Sequence, residues 1–444
     1  MIKSDWDIIV AGGGPSGVVA AVAAARGGTQ TLLLEASGCL GGMATSGLVA
    51  CWCPFTDGEK IIYGGLAEHI FRESKAAIPF VEESQIHGHI PFDPEHLKLL
   101  LDNLASQYGV TVLFNTQVAE VERENCHIKS ITAANKAGLT RFHAKIYIDC
   151  TGDADLAHFA GAECYVGNPL DGSTMPASLC FVLSNVDTFA YEHLVGNTWG
   201  GFQSSPIWKI LDSGNYPEVD SMHLCSNLIG PATVNFNAGH VYCNATDPLE
   251  KSRALHEGRR KAFVLHRALK DCSPEAFGNS FLASTAVSLG VRETRRINGE
   301  YELTLNDYLA RRSFDDEIAR NCYFLDIHQG KSFQQQCLTY KGWKKFIDDN
   351  QIHDERKYQK GESHGIPYRS LIPKGFNNLL VAGRSISCDR HVQSSIRVMP
   401  VCMSTGEAAG VAAFLAAGMP SPDSRGVDIH ELRSILRKYN CVLP

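Results

Sequence analysis

Asp7-Ile8-Ile9-Val10-Ala11-Gly12-Gly13-Gly14-Pro15-Ser16-Gly17 is the stretch that decides the fold. Its first five residues are an apolar, β-branched run bounded by glycine, the pattern of a buried parallel strand. The glycines then follow as G-x-G-x-x-G, and Val18 to Arg26 has strong helix character before Gly27-Gly28. A second apolar strand, Thr31 to Leu34, ends in Glu35. Each part has a physical job. Gly12 makes a tight turn, Gly14 lets a pyrophosphate approach the backbone, and Gly17 lets the helix pack on the strand. Pro15 and Ser16 open the helix, whose positive end faces the phosphates. Glu35, 18 residues beyond Gly17, can accept both ribose hydroxyls. A glycine triplet alone would be an ordinary turn. Strand, glycines, helix, strand and acid in this order predict dinucleotide binding.

Composition sets the outer bounds. The 444 residues are 44% hydrophobic and 20% charged, which excludes disordered, collagen-like and coiled-coil chains and allows two domains. Lys+Arg of 41 against Asp+Glu of 48 leaves a net charge of −7, with no basic block, so nucleic acid is not an expected partner. Fifteen cysteines is a high and odd number without a regular disulfide framework. Met1 to Asp7 contains no signal-peptide pattern, and Pro15, Ser16 and Arg26 interrupt the most apolar early stretch. The expectation is a cytoplasmic protein with reduced thiols, no membrane partner and a possible homo-oligomeric state.

The choice between nicotinamide and flavin dinucleotides falls just downstream. Ala36-Ser37-Gly38-Cys39-Leu40-Gly41-Gly42-Met43-Ala44-Thr45 puts a second glycine pair about six residues past the acid. That suits a backbone lying under a long, extended cofactor. Here the chain resembles the FAD-dependent oxidoreductases of the glutathione-reductase-like superfamily, in the branch with fumarate reductase flavoproteins. Within it, the chain is most similar to the "FAD-dependent oxidoreductase" family that shares its flavin domain with the flavoprotein component of heterodisulfide reductase. The resemblance is carried by Gly41 to Thr45, Tyr147 to Asp155 (a strand ending in T-G-D-x-D), Gly290 to Tyr301, His364 to Leu371, Asn378 to Arg384, and Ser394 to Pro400 with Gly406 to Gly410.

The resemblance implies an α/β fold: a Rossmann-like FAD-binding domain with a small antiparallel sheet, plus an inserted α+β substrate or cap domain. The flavin domain would be discontinuous, residues 1–165 and 365–425, with the insertion at 166–364 and a C-terminal helix or tail at 426–444. Asn115 to Val121 reads as a strand, with Gln117 and Val118 near the adenine in related folds. Thr233 to Tyr242 alternates like a strand, and Leu249 to Lys270 has a helical period. The His- and Pro-rich excursion at 54–95 is expected to cover the site. No second G-x-G-x-x-G follows a strand, so a separate NAD(P)H domain is not expected.

The implied FAD contacts are Gly12, Gly14, Pro15, Ser16, Gly17, Glu35, Ala36, Gly41, Gly42, Met43, Ala44, Gln117, Val118, Thr151, Gly152, Gly383, Arg384, Val398 and Met399. Val398 and Met399 lie where a closing helix would point its positive end at the flavin. On the substrate side, His391 could act as a base near flavin N5 or be a structural histidine bonded to backbone, and Arg397 could contact flavin or an anionic substrate or be paired in the core. His364, Tyr368 and Arg369 could fix a carboxylate or hydroxyls, or else clamp the domain junction. Arg295 and Arg296, with Glu293 and Glu300, read as a salt-bridged helix face, and Arg292 stays open.

Cys51-Trp52-Cys53 is a poor redox pair, because residues i and i+2 on a strand strain a disulfide. No cluster-binding cysteine run and no paired zinc motif occur, so no metal is expected. Gly41 to Gly47 contains no histidine for a covalent flavin link, so FAD should be non-covalent. The expected activity is hydride transfer between flavin N5 and a small hydroxylated or carboxylated substrate, with an unknown electron donor or acceptor. The alternative is a flavin-containing electron-transfer subunit of a larger redox complex.

Overall fold

The computed structural model describes residues 3–331, 338–349 and 357–444. The expected insertion, 166–364, therefore includes two short stretches outside the described residues. The opening strand, Asp5–Ala11, pairs in parallel with Thr31–Leu34 on one side and Gly138–Asp149 on the other. Thr111–Leu113 extends the sheet beyond Thr31–Leu34, and Leu379–Val381 joins the end of Gly138–Asp149 in parallel. The first half of Gly138–Asp149 runs antiparallel to His127–Asn135, which pairs in turn with Gln117–Glu124. One sheet of seven strands results. Its parallel strands end at Ala11, Leu34, Asp149 and Val381, so the glycine turn, Glu35, Thr151 and Gly383 gather along one edge. Ligands of open α/β sheets bind at that edge.

Two helices lock against each other beneath this edge. Pro15–Arg26 is almost wholly buried, and so is Met399–Ala417. They approach so closely that a Cβ on Gly406 would lie 2.2 Å from the Ser16 carbonyl oxygen, and one on Gly410 2.2 Å from that of Ala20. Met399–Ala417 is long and apolar enough to cross a membrane by length and composition, but 83% of its apolar window is buried inside the protein.

Residues 181–277 build a second core. Phe181–Ser184 lies between Thr233–Ala238 and Phe281–Thr285, and Leu224–Gly230 completes a four-stranded sheet. Phe181 and Phe236 stack at 5.0 Å, over Ile207, Leu265 and Phe277. The expected helix is Pro248–Cys272, started by the Asp247 carboxylate accepting from the Leu249 and Glu250 N–H groups. The expected strand from Thr233 stops at Ala238, because Gly239 takes a φ of +71° and turns the chain.

Several expected boundaries shift. Leu303, Tyr308, Phe314 and Ile318, read as part of the insertion, share a core with Val18 and Ala20 of the first helix. Leu432 and Leu436 of the C-terminal helix, Ile429–Lys438, join that core too. Asn115 has a φ of +49°, a turn, so the strand there starts at Gln117. Arg295 and Arg296 stand on a strand, Arg295–Ile297, rather than on a helix face. Residues 54–95 contribute Phe55, Phe71 and Phe92 to the buried core with Trp52, where a cover over the site was expected.

His364 to Arg369 form a junction. His364–Pro367 pairs antiparallel with Glu317–Asn321, and His364 is fully buried. Its Nδ1 meets the Tyr358 hydroxyl at 2.7 Å, and its Nε2 has no partner. Burial first, and the charge of Arg320 next, bring its pKa down to about 3. The Tyr368 hydroxyl donates to the Ser424 carbonyl at 2.7 Å, and Arg369 pairs with Asp316 at 2.9 Å. The three side chains share no partner. Their contacts are those of a clamp between segments, in place of the common carboxylate site considered for them.

Two outcomes follow from this packing. Gly410→Val should lower stability by about 3 kcal/mol in denaturant unfolding, because backbone cannot yield as a side chain can. Gly38→Ala, where a Cβ meets nothing within 4 Å, should leave the midpoint unchanged. The depressed pKa of His364 means the unfolded chain binds the extra proton first as pH falls below about 6.5. Its stabilising contribution is whole above that pH and shrinks as pH falls towards the folded value. Burial raises Glu407 to about 7 and Asp149 to about 6, which works in the opposite sense. His364→Gln should therefore flatten the fall in Tm between about pH 7 and pH 5 relative to the parent; an unchanged slope would contradict this account of the junction.

Candidate active site

The sheet edge carries a cradle of backbone. Gly12 has a φ of +94°, and a Cβ there would sit 2.5 Å from the Cys150 carbonyl oxygen. Gly17 packs against Gly12 itself, at 1.7 Å for an added Cβ. Gly14 differs, because an added Cβ would meet nothing within 4 Å. It is the N-cap of Pro15–Arg26, which has no side-chain cap and no acid in its first turn. Ser16 is buried just behind it. Gly41 donates its N–H to the Gly13 carbonyl at 2.8 Å, and the 3-10 turn Gly42–Ala44, with Met43 at its centre, lies over Gly14.

Glu35 is held in place by backbone. Its Oε2 accepts from the Gly13 N–H at 2.6 Å and its Oε1 from the Ser37 N–H at 2.7 Å. Ala36 beside it is exposed. Thr116 donates its N–H to the Glu35 carbonyl at 2.9 Å, which brings exposed Gln117 and buried Val118 to the same end of the cradle. Across the edge, Asp149 accepts from the N–H and hydroxyl of Thr151, and the Gly152 carbonyl accepts from Ser385. Arg384, next to Gly383, pairs with Asp153 at 2.5 Å and keeps a buried Nε without a partner.

The helix Met399–Ala417 ends here as well. Val398 is its N-cap, with neither a side-chain cap nor a first-turn acid, so its leading N–H groups face the crevice without a counter-charge. An open Gly14, an acid fixed by two backbone donors and two uncapped helix ends fit a dinucleotide.

Beyond the end of that helix, His223, His240, Arg292, Asp326 and His328 form a cluster that Arg397 joins. Arg397, the last residue before Val398, pairs with Asp326 at 2.7 Å, and its Nε is buried without a partner. Asp326 Oδ1 is 3.4 Å from His328 Nε2, and His328 Nδ1 is 3.1 Å from His240 Nε2. His240 stacks on His223 at 4.7 Å between ring centroids. His223 Nε2 lies 3.4 Å from Arg292, and its Nδ1 lies 3.3 Å from the Gly239 carbonyl. Gln393 closes the loop by donating its amide to the Arg292 carbonyl at 2.9 Å.

Burial governs the electrostatics. It is the main reason that His223 and His240 lie well below the usual imidazole pKa and that His328 falls to about 4. Burial also raises Asp326, but His328, Arg397 and Arg292 outweigh it and hold the carboxyl well below its usual range. Burial first, then Arg397, bring Arg292 down to about 10. The three rings are thus held towards their neutral form and Asp326 towards its ionised form.

The nitrogens of the three histidines lie within 4.8 Å of one another, close enough to surround a cation. Their hydrogen bonds also set a tautomer for each ring. Arginine only donates, so His223 Nε2 accepts and Nδ1–H goes to Gly239. An ionised Asp326 only accepts, so His328 carries its proton on Nε2 and takes the Nε2–H of His240 on Nδ1. One lone pair is left, on His240 Nδ1, which is buried and has no partner.

Of the substrate-side residues read from the sequence, only Arg397 and the open Arg292 join this cluster. His391 is exposed on the first turn of Arg390–Ile396 and stands outside the buried network. Arg295 pairs with Asp155 and Arg296 with Glu293. His223, His240, His328 and Asp326 were missed, since they come from separate loops with no common spacing. Among the described residues, fourteen cysteines are free. Burial raises the Cys53 thiol to about 12 and Cys51 well above its usual value, which leaves both unreactive.

A family model described as "FAD dependent oxidoreductase" matches residues 7–436. No curated protein matches the chain. Among solved structures, a geranylgeranyl bacteriochlorophyll reductase-like protein from Thermoplasma acidophilum is 12% identical, with 98% of this chain and 84% of that one covered at a TM-score of 0.46. The p-nitrophenol 4-monooxygenase PnpA from Pseudomonas putida DLL-E4 is 9% identical, with 99% of each chain covered at a TM-score of 0.42. The myxobacterial chondrochloren halogenase CndH is 13% identical, with 98% of this chain and 79% of that one covered at 0.45. The family match spans nearly the whole chain, and with it the strand, glycine turn, helix and fixed acid find their explanation: the chain belongs to the FAD-dependent oxidoreductase family, and its cofactor is FAD.

Proposed function

We propose that this enzyme moves a hydride between flavin N5 and a small polar substrate held between the flavin domain and the inserted segment. In this reading Gly12, Gly14, Pro15, Ser16 and Gly17 cradle the pyrophosphate, and Glu35 with Ala36 takes the adenosine ribose. Gln117 and Val118 flank the adenine. Gly41 to Ala44, Thr151, Gly152, Gly383 and Arg384 line the path towards the ring, and Val398 and Met399 lie against it. FAD, when bound, supplies the two-electron chemistry.

The chain's own residues do the rest. The uncapped N-terminus of Met399–Ala417 favours negative charge next to it. Arg397, held by Asp326, keeps one donor free on the same side. The observation that carries the reading is the buried Arg–His cluster at this helix end, built jointly by the insertion and the flavin domain. An electron relay has no need of such a cluster, which favours a small-molecule enzyme over an electron-transfer component of a larger complex.

Purified protein is expected to carry about one FAD per chain that acid or heat releases intact, as a non-covalent cofactor does. Gly14→Val should fold with an unchanged unfolding midpoint for the apoprotein yet bind FAD about tenfold more weakly or worse. Normal FAD affinity in that variant would contradict the placement of the pyrophosphate.

A further inference from the structure

Arg292 is out of balance with its surroundings. It is 7% exposed, and its guanidinium meets the Pro176 carbonyl at 2.7 Å, the Ser178 hydroxyl at 3.0 Å and His223 Nε2 at 3.4 Å. All three are neutral. Nearby arginines have carboxylates: buried Arg296 has Glu293, and half-buried Arg384 and Arg397 have Asp153 and Asp326. Among the described residues, no carboxylate lies within ion-pair distance of Arg292. The cluster holds two guanidiniums and one carboxylate, a surplus of one positive charge. Neither its neutral imidazoles nor the Cys180 and Cys225 thiols, raised to about 12 by burial, can balance that charge. A buried charge left this way is costly unless a ligand completes it.

His240 carries the complementary deficit. It is 2% exposed, and the chain from Asp326 through His328 fixes its proton on Nε2. That leaves Nδ1 as a buried acceptor with no donor. The His223 ring stacks on His240 and lies 3.4 Å from Arg292, so both groups pack against it. Around His223 the cluster thus lacks an anion at Arg292 and hydrogen-bond donors for His240 Nδ1 and Gln393 Oε1.

We propose that the cluster binds a short-chain hydroxy acid, its carboxylate on Arg292 and its hydroxyl donating to His240 Nδ1. This deepens, and rests on, the reading that FAD lies at the N-terminus of Met399–Ala417. A carboxylate offers the planar, bidentate acceptor that a guanidinium fork fits. In the oxidation this arrangement serves, the O–H bond breaks with its proton going to His240. The C–H bond breaks with its hydrogen and electron pair going to the FAD that the family uses, and a carbonyl forms. Asp326 and His328 act as positioning residues: they hold His240 in the accepting tautomer and balance the charge it gains.

The test uses the FAD-loaded protein and reads equilibrium binding from the flavin difference spectrum and from Tm. The probes are glycolate, lactate and malate, their deoxy counterparts acetate, propionate and succinate, and the neutral lactamide. At least one hydroxy acid should bind saturably, more tightly than its deoxy counterpart, and lactamide should not bind. Arg292→Met should weaken carboxylate binding about tenfold or more with FAD retained, and Arg292→Lys should restore part of it. His240→Phe and His328→Phe should each erase the preference for the hydroxylated acid while the preference for acid over amide survives, a split that general loosening of the site would not give.

Saturable binding of none of these acids overturns the proposal, as does equal binding of lactate and lactamide. A hydroxyl preference that survives in His240→Phe overturns the role of His240, and so does a stoichiometric metal bound through the three histidines. Should Arg292→Met fail to fold, Arg292→Lys and the parent's acid-to-amide comparison still decide. Protein that takes up no FAD would instead remove the reading on which this proposal stands.

Discussion

The crossing of two helices is the constraint on which this molecule depends. Pro15–Arg26 and Met399–Ala417 come from opposite ends of the chain, yet Gly406 and Gly410 let their backbones almost touch. That distance cannot be relaxed by repacking side chains, because the opposing atoms are carbonyl oxygens. Its consequence is electrostatic. The crossing fixes two N-termini beside the same sheet edge, neither with a side-chain cap or an acid in its first turn. A doubly negative pyrophosphate and an electron-rich ring system are the complement.

The second feature is a division of labour at the junction. The parallel sheet and the two helices form a scaffold for the cofactor, and the insertion, with its own Phe181–Phe236 core, brings loops to the open end. Arg397 of the scaffold pairs with Asp326, and Gln393 of the scaffold holds the Arg292 backbone. Both contacts tie the histidine cluster to the residues just before the long helix. Buried His364 and Tyr368, with exposed Arg369, each tie the chain's return to the sheet to a different neighbouring segment.

How much of this was legible in the sequence follows from the range of the interactions involved. The strand–glycine–helix unit and Glu35 are local, so periodicity and glycine spacing reveal them directly. The long buried helix was legible through its small residues, and the helix at Pro248–Cys272 through its period. The histidine–arginine cluster was not. His223, His240, Arg292 and His328 meet only through tertiary packing, and nothing in their spacing marks a shared pocket. His391 precedes the long helix in sequence, but on the first turn of its short helix it is exposed. Residues 303–325 mix apolar and charged positions, and only packing reveals that Leu303, Tyr308, Phe314 and Ile318 share a core with the first helix.

The claim at the centre of this account is that the flavin ring lies between the N-terminus of Met399–Ala417 and the Arg292–His240 cluster. A crystal structure of the FAD-loaded protein tests it directly. The account predicts the isoalloxazine against Val398 and Met399, with one face turned to His223, His240 and Arg292. A ring bound elsewhere, with the cluster out of its reach and sealed in protein, would contradict it.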